Sequence, residues 1–139
     1  MTGPEVAVGA IACHADRVLL VRRGRPPAVG KWSVPGGRIQ AGEPVRAAVV
    51  REVAEETGLT VTVGEFLGWV ERFDAGYHFV ILDFRVVVLD VDQAPRAGDD
   101  AAEAAWVPTA QLGDYPLVAG LTEFLHEAGV LAPGPPLGL

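Results

Sequence analysis

The sequence predicts an α/β domain, a mixed sheet with helices packed on its faces, and three observations lead there. Two β-branched apolar runs, VAVGAIACH (6–14) and RVLLVRR (17–23), are separated by a two-residue break and read as a strand pair. Two longer strand-like runs, LTVTVGEFLGWVERF and YHFVILDFRVVVLDV, follow a helical segment and are joined by a turn at 74–76. Helical spacing then returns in YPLVAGLTEFLHEAG, with Leu117, Leu121, Phe124 and Leu125 on one stripe. Strands, helix, strands, helix is the order of a sheet covered on its faces.

Each element has a local reason. RGRPPAVGK is a Pro/Gly loop, and KWSVP is a short strand approaching Gly36 and Gly37. Glu43 and Pro44 open the first helix, because proline's missing N–H does no harm in a first turn. The helix runs to Thr57, and Gly58 is its C-terminal cap. QAPRAGDDAAE reads as a polar loop and AAWVP as a further short strand, with residues 130–139 a loose tail on a single domain spanning 1–139. Trp69, Phe73, Phe79 and Phe84 are expected in the core, as is Cys13.

With 139 residues, half of them hydrophobic and 21% charged, the chain reads as globular rather than disordered. One cysteine excludes an internal disulfide framework and fits a reducing compartment. The leader MTGPEVAVGA lacks a basic start, and no apolar stretch reaches 18 residues, so neither a signal peptide nor a membrane span is expected and the reading is cytoplasmic. A net charge of −7 argues against a broad grip on nucleic acid. Eight of the eleven basic residues nevertheless fall between Arg17 and Arg51. Phosphates neutralised partly by arginine and partly by metal would suit that distribution.

The segment REVAEETG (51–58) crowds Glu52, Glu55 and Glu56 into five residues. At about 100° per residue, Glu55 and Glu56 lie roughly 60° and 40° to either side of Glu52, on one stripe. Ala47, Val50, Val53 and Ala54 are expected on the opposite, core-facing side. Two carboxylates about 5 Å apart in a cleft repel by roughly 3 kcal/mol at an effective dielectric of 20. Two readings follow from these residues alone: a solvated acidic face, or a site for a divalent cation.

A wider pattern decides between them. Gly37, Glu43, Arg51, Glu52, Val53, Glu55, Glu56, Gly58 and Leu59 fall in the order G-x5-E-x7-R-E-U-x-E-E-x-G-U, with U aliphatic. This resembles the signature of the Nudix hydrolases without a departure, and KWSVPGGRIQAGE and EAAWVP resemble the family's flanking segments. The resemblance implies the Nudix fold, an α/β/α sandwich around a mixed sheet. It implies hydrolysis of a nucleoside diphosphate linked to another moiety, with Mg²⁺ or Mn²⁺ as cofactor and a nucleotide as partner, in a family whose members are often homodimers. It makes Glu52, Glu55, Glu56 and the Gly37 carbonyl metal ligands, with Glu43 a supporting carboxylate for Arg51. Such clustered oxygens suit a hard ion that keeps several waters. Gly36 and Gly37 are expected to supply a backbone conformation open to glycine.

The resemblance implies a water-activating base that is either a glutamate of the pattern, here Glu52, or a carboxylate of a loop past the central strands, here GDDAAEAAW, with Glu103 the first choice and Asp99 and Asp100 as alternatives. Arg22, Arg23, Arg25, Lys31 and Arg38 are candidate substrate contacts. Tyr77 is a candidate base-stacking residue, or simply a strand tyrosine beside a turn. RFDAGYHFVILDF looks like small members assigned to ADP-ribose, although a proline that some of them carry about 15 residues past the pattern is missing. Dinucleoside polyphosphates and (d)NTPs come next. A non-catalytic nucleotide sensor is the alternative from another class, and a decapping role is disfavoured by the acidic charge.

Overall fold

A computed structural model describes residues 3–131 apart from Pro27, Ala75 and Asp99. Strands β1 (Glu5–His14), β2 (Arg17–Arg23), β3 (Trp32–Ser33) and β4 (Gly36–Arg38) precede helix α1 (Val45–Thr57). Then come β5 (Val61–Asp74), β6 (Tyr77–Val88), β7 (Ala101–Pro108), a 3-10 turn (Thr109–Asp114) and helix α2 (Leu121–Glu127). The sheet is mixed: β1 lies parallel to β6 and antiparallel to β2 and β4, and β7 joins β2.

Because side chains alternate across a strand, β1 serves two cores. Val8, Ala10 and Ala12 meet Val49 and Val53 of α1 together with Leu19, Phe84 and Val86. Ile11 joins Val18, Leu20, Val107, Leu121 and Leu125 under α2. The expected layering of helices on a mixed sheet is therefore the observed one.

Several local expectations change. The buried face of α1 is Ala48, Val49, Val53 and Thr57, whereas Ala47 and Ala54 are exposed. About the helix axis Glu56 lies only about 20° from Val49, so the acidic stripe runs along the border of the core rather than opposite it. Pro44 is the N-cap and not the first helical residue, while Gly58 caps the other end in the left-handed region at φ 74°. β7 begins at Ala101, so Glu103 lies in a strand and not in the preceding loop. Leu117 stands outside α2, bridged to Trp32.

Among the aromatics, Phe79 and Phe84 are buried as expected, but Trp69 and Phe73 are 59% and 68% exposed. Both sit on β5, the edge strand, whose register slips between Val63 and Phe66 and again between Phe66 and Gly68. Bulges of this kind break the two-residue alternation of a strand, so an aromatic residue type alone does not place a side chain in the core. Gly68 takes φ +136° at the second slip, a conformation that side chains disfavour. Cys13 is exposed too, since β1 extends past both cores into the hairpin with β2. The turn residue Ala75 and nearly all of the expected tail, residues 132–139, lie outside the described residues.

Candidate active site

Arg51 organises the site. Its Nε and Nη2 donate to Glu43 Oε2 and Oε1 at 2.6 and 2.9 Å. Nη1 donates to Glu52 Oε1 at 2.9 Å and Glu55 Oε2 at 3.0 Å, and Nη2 also donates to the Arg38 carbonyl at 3.0 Å. A guanidinium has five N–H donors, and here each has an acceptor. Arg51 accordingly holds its proton more firmly than usual. The hydrogen bonds from Arg51, and one from the Gln40 amide, hold the Glu43 carboxyl below the ordinary range.

Glu56 and Glu52 behave in the opposite way. Burial beside Val49 and Val53 pushes the Glu56 carboxyl up to about 8, opposed by the Gly36 amide, which donates to Oε1 at 2.9 Å, and by the charge of Arg23. Burial raises Glu52 also, opposed chiefly by Arg51. The two side chains interact directly, and two carboxylates that close in a half-buried setting do not readily ionise together. A cation would relieve both.

β4 runs against the same carboxylates. A Cβ on Gly37 would lie 2.6 Å from the Glu52 carboxylate, and one on Gly36 would run into the Val8 carbonyl. Neither glycine has positive φ, so both are there for space and not, as expected, for backbone conformation. The loop after β6 closes the helix end: the Arg96 and Gly98 amides donate to the Thr57 and Glu56 carbonyls. Gly98 and the Arg38 carbonyl were missed in the sequence, since neither carries a side-chain signal at that role.

The donor set, two desolvated carboxylates against a glycine strand with a third carboxylate on Arg51, fits a hard divalent ion. Among the described residues no three acidic, His or Cys side chains converge tightly enough to enclose an ion as they stand, because Glu55 is turned to Arg51.

The remaining candidates divide. Arg23 reaches Glu56 with its charge. Arg22 does not face that way: it pairs across the ladder with Glu103, Nη2 to Oε1 at 2.8 Å, at positions sharing the alternation of Leu20 and Ala105, which pack on the α2 side. Arg25 pairs with Asp100 at 2.9 Å, and Lys31 is exposed. Arg38 and Tyr77 come together: the guanidinium lies 5.4 Å from the Tyr77 ring centroid and 5.5 Å from that of Phe79, while its Nε bonds Glu5 at 2.7 Å. Asp99 lies outside the described residues. No helix of the described residues is long and apolar enough to cross a membrane.

A mixed sheet between helices, with a glycine strand facing an arginine-clamped row of glutamates, is the frame of a phosphate-anhydride hydrolase. The NUDIX domain profile matches residues 3–128, and the chain belongs to the Nudix hydrolase family. It is 40% identical over 125 residues to an ADP-ribose pyrophosphatase of Methanocaldococcus jannaschii, covering 89% of this chain and 69% of that one. It is also 40% identical over 118 residues to a putative 8-oxo-dGTP diphosphatase 2 of Mycobacterium tuberculosis, covering 82% and 79%. Among solved structures, a MutT Nudix hydrolase from Burkholderia pseudomallei superposes with a TM-score of 0.79 at 30% identity, covering 91% of this chain and 98% of that one. The Nudix domain of Shewanella oneidensis NrtR, complexed with ADP-ribose, superposes at 0.76 with 25% identity, covering 94% and 89%.

Proposed function

We propose that the chain hydrolyses the diphosphate of a nucleoside diphosphate linked to another moiety, with ADP-ribose first and (d)NTPs or dinucleoside polyphosphates next. The observation that carries this reading is Arg51, whose five donors fix Glu43, Glu52 and Glu55 around β4 while Glu56 is held by the Gly36 amide. A pure binder has no need of so completely clamped a set. ADP-ribose comes first because it is named for one relative at 40% identity and is the ligand of a structural neighbour.

Glu52, Glu55, Glu56 and the Gly37 carbonyl would hold Mg²⁺ or Mn²⁺, which supplies charge neutralisation on the diphosphate and lowers the pKa of bound water. Glu52 is our choice for the group that takes the proton of the attacking water, because Arg51 orients it and its burial makes it more basic than an ordinary glutamate. As the water oxygen bonds to phosphorus, the bond from that phosphorus to the bridging oxygen breaks. A nucleoside monophosphate leaves, and the partner keeps the other phosphate. Arg23 is placed to offset phosphate charge. The exposed Trp69 and Phe73 on edge strand β5 offer a surface for a homodimer, and the lone cysteine fits a cytoplasmic protein.

The test is hydrolysis of a panel of ADP-ribose, dinucleoside polyphosphates, NTPs, dNTPs and nucleotide sugars with Mg²⁺, with Glu56→Gln beside the wild type. Turnover by the wild type, lost by a factor on the order of 10²–10³ in the variant, supports a hydrolase. Binding without turnover hands the case to a nucleotide sensor.

A further inference from the structure

β5 ends the sheet order β3-β2-β1-β6-β5, and among the described residues no strand lies beyond it. An edge of this kind is a template for pairing with another chain. The register slips of β5 end at Gly68, and from there to Asp74 its pairing with β6 runs unbroken.

Alternation gives the two faces of this stretch different chemistry. Trp69, Glu71 and Phe73 lie opposite Leu82, Val80 and His78, on the α1 side where Leu82 packs. Trp69 and Phe73 are exposed there, and Glu71 between them contacts His78 Nε2 at 2.8 Å. Gly68, Val70 and Arg72 face the α2 side, since a Cβ on Gly68 would meet the Phe124 ring. A cavity of about 470 Å³ opens on that side between β5 and α2, lined by Gly68, Val70, Phe124, Glu123 and Glu127. Both glutamates are exposed, one helical turn apart, and among the described residues neither is in an ion pair.

Two copies of β5 pairing antiparallel would set residues of the same face opposite each other, so their two-fold axis passes through a residue position. An axis at Glu71 or Arg72 places like charges directly opposite, which destabilises a strand pair. An axis at Trp69 carries Arg72 past Gly68 into the bulge, and one at Phe73 overlaps only the tip of the hairpin. An axis at Val70 sets Arg72 opposite Gly68 of the second copy, at the mouth of the groove that Glu123 and Glu127 line. The axis is perpendicular to the sheet, so both α2 helices lie on that side and the contact is made twice. On the other face, Trp69 of one copy lies diagonal to both Trp69 and Phe73 of the second, within reach of aromatic side chains.

We propose that β5 pairs with β5 of a second copy of this chain about a two-fold axis at Val70, and that Arg72 of each copy enters the acidic groove of the other. The groove's charge and the arginine that complements it stand in a register that only a second copy reproduces. Wherever β5 pairs in this way, the exposed aromatics of both copies close into one row. The inference rests on the homodimer reading given above and supplies its interface. It does not depend on the hydrolysis chemistry.

Sedimentation velocity over a concentration series compares four samples: wild type, Arg72→Glu, a chain carrying Glu123→Lys with Glu127→Lys, and an equimolar mixture of the two variants. Wild type should dimerise. Each variant alone sets like charges at both contacts and should raise the dimer dissociation constant by about tenfold or more. In the mixture both contacts again join opposite charges, so a heterodimer should form within about threefold of the wild-type constant. Regain on mixing cannot come from a misfolded chain. Glu123 and Glu127 are exposed on α2, so the lysine variant judges the interface by itself if Arg72→Glu melts early. A wild type that stays monomeric removes the homodimer and this interface together. A dimer whose constant the lysine variant leaves unchanged, or two folded variants that do not recover on mixing, overturns the interface and leaves the dimer to another face.

Discussion

Arg51 and Glu43 make a two-point contact, 2.6 and 2.9 Å, across the turn that leads into α1. Planar fork meets planar carboxylate, and the geometry leaves Nη1 free to serve Glu52 and Glu55 from one fixed position. Lysine offers a point charge on a flexible stem and cannot reproduce that. Arg51→Lys should keep the fold yet lower kcat by roughly 10- to 100-fold, the size of effect expected when a ligand's support is lost. Mg²⁺ titrations of the reaction should show the apparent metal affinity falling in step. A kcat within a factor of about two of wild type would mean that charge alone, not the fork, is what the site requires.

Gly36 and Gly37 adjoin in sequence but should fail differently when changed to alanine. At Gly37 the new methyl meets the far end of a glutamate side chain, which can swing aside, so Gly37→Ala should melt close to wild type while losing activity by about tenfold or more. At Gly36 it meets the Val8 backbone, which cannot move alone. Gly36→Ala should lose about 1–3 kcal/mol of stability, as overpacked sites do. Thermal melts beside initial rates separate the two, and equal melting temperatures would refute the division.

Local signals made much of this legible. Gly58 announced the helix end because glycine readily takes the left-handed cap, and the resemblance to the Nudix signature announced Glu43 as the carboxylate that supports Arg51. What escaped depended on distant parts of the chain. No local pattern says that Val49, one turn before Val53, would turn the stripe toward the core and leave Glu56 desolvated. Bulges hid the exposure of Trp69. Nothing local marks Asp83 for burial, which follows from the pairing of β6 with Gly9 of β1 and Gly68 of β5.

The raised pKa of Glu56 gives metal-free protein a pH-dependent stability whose sign is fixed. The folded chain holds this proton up to about pH 8, whereas the carboxyl's ordinary value is 4.5. The folded state therefore binds more protons across that window, and stability falls as pH rises through it. Below about pH 4.5 the contribution is fully present. Chelator-treated wild type should melt progressively lower from pH 5 to pH 8. Glu56→Gln should match it at the acid end and exceed it at the alkaline end. Asp83, raised to about 7, has the same sign and keeps the variant's curve from going flat. A variant that melts below wild type at alkaline pH would contradict the burial argument.

The identity of the water-activating carboxylate is decided by comparing Glu52→Gln with Glu103→Gln. Glu103 is engaged by Arg22 through Nε at 3.0 Å and Nη2 at 2.8 Å, and the alternation of β7 sets it on the face away from α1. Glu52 lies against Gly37, is oriented by Arg51, and is raised by burial toward the range where a base works best. Glu52→Gln should thus lower kcat by about 10²–10⁴-fold and remove the acid limb of the pH–rate profile. Glu103→Gln should lose only an exposed ion pair, a matter of about 0–1 kcal/mol of stability, and keep the acid limb in place. Because Glu52 is also assigned to the metal, the kcat values must be taken at saturating Mg²⁺, so that weakened metal binding is not mistaken for lost proton transfer. If instead Glu103→Gln abolishes the acid limb while Glu52→Gln retains it at saturating metal, then the Arg22 pair opens during turnover and the base comes from β7.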